Sequence, residues 1–100
     1  MGWANLAIEK LQKGETVRIR PRGHSMTGRV NDGELVTLEP VDPAKLEVGD
    51  IVLVRVHGNV FLHLIKAKND DRFLIGNNRG KINGWVGSNG IYGKATKIEP

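Results

Sequence analysis

The residues best suited to chemistry lie in the stretch Arg22-Gly23-His24-Ser25-Met26-Thr27-Gly28. A serine flanked by glycines, in a turn-rich segment just after a strand, stands on exposed backbone. The glycines let another chain approach it closely. Taken alone, the same stretch is also an ordinary polar loop. It lacks the lysine and the following helix of a phosphate-binding loop. His24, His57 and His63 are not at metal-ligand spacing, and the chain has no cysteine. No metal site, disulfide, thiol nucleophile or cofactor is therefore expected. A second candidate is electrostatic. Arg18, Arg20 and Arg22 alternate, Arg29 and Arg79 could extend the patch, and the formal net charge is +4. A basic strand face is the footprint expected for a phosphate backbone. A solvated face has the same composition, and aromatic residues make up only 5% of the chain, few for stacking on single strands. Arginines beside Ser25 could equally hold an acidic stretch of peptide.

The elements that must position these residues are mostly strands. Trp3, Leu6, Ala7 and Leu11, with Ala4 and Ile8, recur at helical spacing and predict a helix over about 3–13, stopped at Lys13-Gly14. Alternation then predicts strands at Thr16–Arg20, Glu34–Glu39, Val60–Lys68, Arg72–Ile75 and Ile91–Ile98. The apolar run Ile51–Val56 predicts a strand buried on both faces. His57-Gly58-Asn59 reads as a three-residue hairpin turn, Asp70-Asp71 as another turn, and 76–90 as a loop. Trp3 and Phe61 are expected in the core, and Trp85 packed under that loop. One hundred residues suit a single domain, with the helix in 1–15 and a β core over 16–98. The predicted class is all-β: a coiled, partly open antiparallel barrel or sandwich with one short N-terminal helix. No apolar run is long enough to span a membrane. The first residues carry Glu9 and no signal-cleavage pattern. A soluble, cytoplasmic protein with no membrane partner is expected.

Five motifs follow one another in order: Gly23-His24-Ser25-Met26, then Asn31-Asp32-Gly33-Glu34-Leu35-Val36, then Val48-Gly49-Asp50-Ile51-Val52-Leu53-Val54, then Phe61-Leu62-His63-Leu64-Ile65, then Leu74-Ile75-Gly76-Asn77-Asn78. This order resembles the superfamily that joins LexA-type self-cleaving repressors with the signal peptidases, over about residues 16–98. The resemblance implies a coiled all-β peptidase core and amide hydrolysis by a serine with one general base. Ser25 would be the nucleophile, with Gly23, His24 and Met26 at the oxyanion and substrate side. His63 would be the base, in the place where archaeal and eukaryotic-type signal peptidases carry a histidine and LexA-type proteins a lysine. Lys66 is the alternative base, but strand parity puts Lys66 and Lys68 on the face opposite His63. Asp50, Asn77 and Asn78 would support the site.

The chain departs from the family pattern at three places. Gly28 replaces a proline, Glu34 replaces the first aspartate, and Asn77 replaces the aspartate of the last box, where Asp70 or Asp71 could substitute. No helix-turn-helix segment or Ala-Gly or Cys-Gly cleavage pair precedes Ser25, so repressor-type self-cleavage is not expected. The implied partner is a protein or peptide substrate. Two alternatives stay open: a degenerate peptidase fold that binds peptides without cutting them, and a basic β module that binds nucleic acid. By the same resemblance a homodimer could form through about Ile91–Ile98.

Overall fold

The computed structural model describes residues 3–100, with Trp3 described by its backbone alone. The expectation that the Trp3 side chain is in the core therefore lies outside the described residues. The first element, α1 (Trp3–Gln12), turns Ala7, Ile8 and Leu11 inward. It ends where the sequence predicts. Gly14 takes φ +85, its N–H donates to Leu11 O, and Glu15 N–H donates to Lys10 O. That pair of hydrogen bonds satisfies the last carbonyls of the helix. Leu6, by contrast, is 59% exposed and leaves the apolar stripe.

The strands are β1 (Val17–Ile19), β2 (Leu35–Glu39), β3 (Ile51–Val56), β4 (Asn59–Asn69), β5 (Arg72–Gly76), β6 (Ile82–Gly87) and β7 (Ile91–Glu99). They form one antiparallel sheet in the order β1-β2-β7-β3-β4-β5-β6. The apolar run of β3 is buried on both faces because each face has its own core. Ile51 and Leu53 join Val36, Leu38, Leu62 and Leu64 on the face covered by α1. Val52, Val54 and Val56 join Ile65, Phe73, Ile75, Val86 and Ile91 on the other. The sheet coils over this second face, so that β6 packs back against β3. This is the partly open, coiled all-β architecture with one short helix that the sequence predicts.

Several details differ. The expected loop over 76–90 contains a full strand, β6. Its Asn83-Gly84 pair reads as a turn in sequence but forms a bulge: Ile75 pairs with Gly84 and Gly76 with Ile82, leaving Asn83 as the extra residue. The β3–β4 turn has two residues, not three. Val56 pairs with Asn59, and His57 and Gly58 take φ +50 and +84, the paired positive values that match the twist of a tight hairpin. Trp85 is 41% exposed on the edge strand β6 rather than packed under a loop. Phe61 is half-buried against the second core. Strand β7 lies inside the sheet, paired to β2 over 94–99 and to β3 over 91–94. Among the described residues no helix is long and apolar enough to cross a membrane.

Candidate active site

The loop between β1 and β2 carries Ser25 and is held from three sides. At its entry, Gly23 N–H donates to Asp32 Oδ1 at 2.7 Å. Within it, Thr27 Oγ1 donates to His24 O at 2.8 Å, and Arg29 and Val30 N–H donate to Met26 O. Met26 anchors the loop from beneath, at 5% exposure in the first core. Across it, the β5–β6 connection clamps on. Asn78 N–H donates to Ser25 O at 2.9 Å, and its Nδ2 donates to Thr27 O at 2.8 Å. Gly28 is required here: its φ is +96, and a Cβ would stand 3.2 Å from Asn78 Nδ2.

His63 comes from the middle of β4, opposite Val52 of β3. Only 5% of it is exposed, and its ring stacks on Phe61 two residues back on the same face, with centroids 4.7 Å apart. Its Nε2 lies 3.4 Å from Ser25 Oγ, and its Nδ1 lies 2.7 Å from Asn83 Oδ1. An amide oxygen only accepts, so Nδ1 carries the ring proton and Nε2 presents a lone pair to the serine hydroxyl. The Ser25 contact is long for a hydrogen bond.

Burial is the main force on the ring's proton affinity and lowers the His63 pKa from its ordinary value of 6.5. The Asn83 hydrogen bond raises it, and the charges of Lys81 and Lys66 lower it further. The ring is therefore neutral at pH 7.

Asn83 is the residue that sequence reading missed. In a regular ladder it would have a strand partner, and its side chain would follow the alternation of β6. The bulge releases it from pairing and re-aims its amide at His63. The available signal was an Asn-Gly pair that also marks turns. Asn77, expected to support the site, makes its hydrogen bonds within the β5–β6 loop that carries Asn78. Its Oδ1 accepts the N–H groups of Arg79 and Lys81, and its own N–H donates to Lys81 O, which shapes the β5–β6 loop. Asp50 stands in the turn before β3, accepting Glu47 N–H and lying 3.5 Å from Lys94 Nζ. Asp70 and Asp71 form the β4–β5 turn. His24 is exposed and off the groove wall. Lys66 is the bulged residue of β4, and its side chain lies against Gly76, with Cγ and Cε each 3.1 Å from where a Cβ would be. Lys68 Nζ donates to the Ala44 and Leu46 carbonyls.

An open groove of about 280 Å³ runs over Ser25 and His63. Arg20, Pro21, Gly23 and Met26 form one side, and Val60, Phe61 and Leu62 the other. Strand β5 pairs with β4 only from Leu64 onward, so the outer backbone edge of Val60–His63 has no strand partner among the described residues. That side of the groove is therefore a free strand edge. Among the described residues no three His, Asp or Glu side chains converge as a metal ion would require.

Comparison with curated proteins found no match. A family model described as Peptidase S24-like matches residues 4–84, a span that holds the Ser25 loop, His63 and the Asn83 bulge. With that much of the 100-residue chain inside the match, the chain belongs to the Peptidase S24-like family.

Proposed function

We propose that this chain is a serine peptidase working through Ser25 and His63, with Asn83 holding the base. The observation that carries the reading is the line Ser25 Oγ, His63 Nε2, His63 Nδ1, Asn83 Oδ1 at 3.4 and 2.7 Å. It sets the tautomer and the orientation that a general base needs, while burial keeps the ring neutral. An extended peptide would pair with the free edge of Val60–His63 and lie across Ser25.

Ser25 Oγ then attacks the scissile carbonyl carbon while its proton passes to His63 Nε2. The oxyanion faces the Ser25 N–H at the start of the loop turn. Gly23 N–H is committed to Asp32 and is not a second donor in this arrangement. The C–N bond breaks as His63 returns the proton to the leaving amine. Water, deprotonated by the same ring, hydrolyses the acyl ester and regenerates Ser25.

A second reading is favoured by one observation. The group behind His63 is a neutral amide, which orients the ring but does not stabilise an imidazolium as a carboxylate does. On that reading the same groove binds peptides without cutting them. The experiment is peptide hydrolysis, scored by new termini in a mixed peptide pool, with wild type, Ser25→Ala and His63→Ala. Cleavage that both variants abolish supports the peptidase. Equal products from wild type and Ser25→Ala refute it, and binding without products supports the second reading. The nucleic-acid reading has less support. Arg29 is held on the Gly49 carbonyl, and Arg20 and Arg22 line the Ser25 groove rather than a separate face.

A further inference from the structure

The groove does not end at Ser25. Arg20 and Pro21 line both it and a second hollow of about 270 Å³. That hollow lies between Leu6, Ala7 and Lys10 of α1 and Val17, Arg18 and Ile19 of β1. Arg20 and Pro21 are thus common to both hollows.

The two chambers share a charge sign. No aspartate or glutamate lines either one, and the charged side chains on their walls are Lys10, Arg18, Arg20 and Arg22. Arg22 has a loose partner in Asp32, 3.8 Å away. Among the described residues, Arg18 and Arg20 have no carboxylate within ion-pair distance. Arg20 is nonetheless fixed in place. Its Nη1 donates to Gly33 O at 2.9 Å, and Gly33 N–H donates to Pro21 O at 3.0 Å. A guanidinium positioned through one nitrogen keeps its remaining donors for a carboxylate. Beyond Arg20 the hollow has an apolar floor, with Ala7 and Val17 buried and Ile19 half-buried. Leu6 forms its rim and, at 59% exposure, is a large apolar side chain that the helix leaves in water.

We propose that the substrate is an extended segment with an acidic side chain set against Arg20 and an apolar side chain beyond it, seated under α1 beside Leu6. The proposal takes from the peptidase reading only the choice of groove. It makes α1 part of the substrate site, not merely a lid on the core.

The test separates binding from cutting. The Ser25→Ala chain is titrated with fluorescein-labelled peptides in three pools: Glu then Leu at spacings of two to four residues, the same with Lys for Glu, and the same with Ser for Leu. Fluorescence anisotropy is read at low and high salt. The Glu–Leu pool is expected to bind about three- to tenfold more tightly than either of the others, with the charge part of the difference shrinking as salt rises. Arg20→Glu should invert the Glu-over-Lys preference. Leu6→Gln, at an exposed helical position, should remove the Leu-over-Ser preference alone. Equal binding by the pools, no binding by any of them, or a charge preference unmoved by Arg20→Glu overturns the proposal. If wild type cuts nothing while these preferences hold, the hydrolysis reading falls and this proposal stands. If wild type cuts the Glu and Lys pools equally well, the proposal falls and hydrolysis stands.

Discussion

Replacing Asn83 tests the proposed site at the residue that is hardest to explain otherwise. In Asn83→Ala the Nδ1–H of a ring that is only 5% exposed loses its acceptor at 2.7 Å. Among the described residues no buried side-chain polar atom lacks a partner, so the variant creates an unsatisfied donor in a protein that has none there. Leaving such a group unpaired costs about 1–3 kcal/mol. The ring can avoid that cost by tilting or by moving its proton to Nε2, and either escape removes the lone pair from Ser25. If the whole penalty falls on the productive orientation, kcat/KM drops about 5- to 150-fold. Loss of the amide also removes the one contact that raises the His63 pKa, so the acid limb of the pH–rate profile moves to lower pH.

Asn83→Asp should act in the opposite sense. A carboxylate at that distance favours the imidazolium, so it raises the His63 pKa and moves the acid limb to higher pH. It also supports the cation formed during attack, so the plateau rate should rise. A role in packing alone predicts no such opposed shifts. The assay is kcat/KM against pH for the three proteins, with the His63 ring titrated by NMR in parallel. Wild-type rates in folded Asn83→Ala, or an acid limb that Asn83→Asp leaves unmoved, would refute the reasoning.

Three further outcomes are expected. The lowered pKa of His63 makes stability depend on pH with a definite sign: above pH 6.5 the ring is neutral folded or unfolded, and below it the unfolded chain binds the proton first. Stability should therefore fall as pH drops from 6.5 through the lower folded value, and denaturant melts of His63→Gln should show a shallower fall over that window. Phe73→Ala empties the second core at a residue 1% exposed and should cost about 3–5 kcal/mol, lowering Tm by about 15 °C or more. Gly76→Ala puts a Cβ 2.6 Å from the Lys81 carbonyl; a loss of about 1–3 kcal/mol in a thermal melt is expected, and an unchanged Tm would show that the β5–β6 loop gives way freely.

What the sequence made legible depends on how local each determinant is. The helix stop at Gly14 and the doubly buried Ile51–Val56 run come from periodicity and turn chemistry within a few residues, and they stand as expected. The 38-residue approach of Ser25 to His63 is not local, and only the ordered motifs of the family resemblance brought it into view. Strand β6 is hidden in the sequence because two glycines, one of them in an Asn-Gly pair, lower the strand propensity of Ile82–Gly87. The strand forms because β5 offers it a partner, with Val86 filling the second core. Asn77 looked like the support for the base because it occupies the family's acidic position. A register shift instead sets Asn83, six residues on, against the His63 ring, and no pattern of residue types announces a bulge.

On the peptidase reading, the bulge also decides what kind of base His63 would be. Burial, with the charges of Lys81 and Lys66, keeps His63 neutral, so the base is ready at neutral pH without waiting for a proton to leave. The same forces make it a weaker proton acceptor, because what disfavours the resting imidazolium also disfavours the imidazolium formed during attack. A carboxylate behind the ring would relieve that second effect at the expense of the first. Asn83 supplies direction and tautomer but no charge. On that reading the arrangement puts the burden of rate on substrate alignment, which the free edge of Val60–His63 and the arginine at position 20 would have to provide. An enzyme so built should lose more in kcat than in KM when a short peptide stops before the α1 hollow, because binding energy from the distal residues is spent on orientation at Ser25. Peptides truncated one residue at a time should show that split, and a loss confined to KM would place the alignment elsewhere.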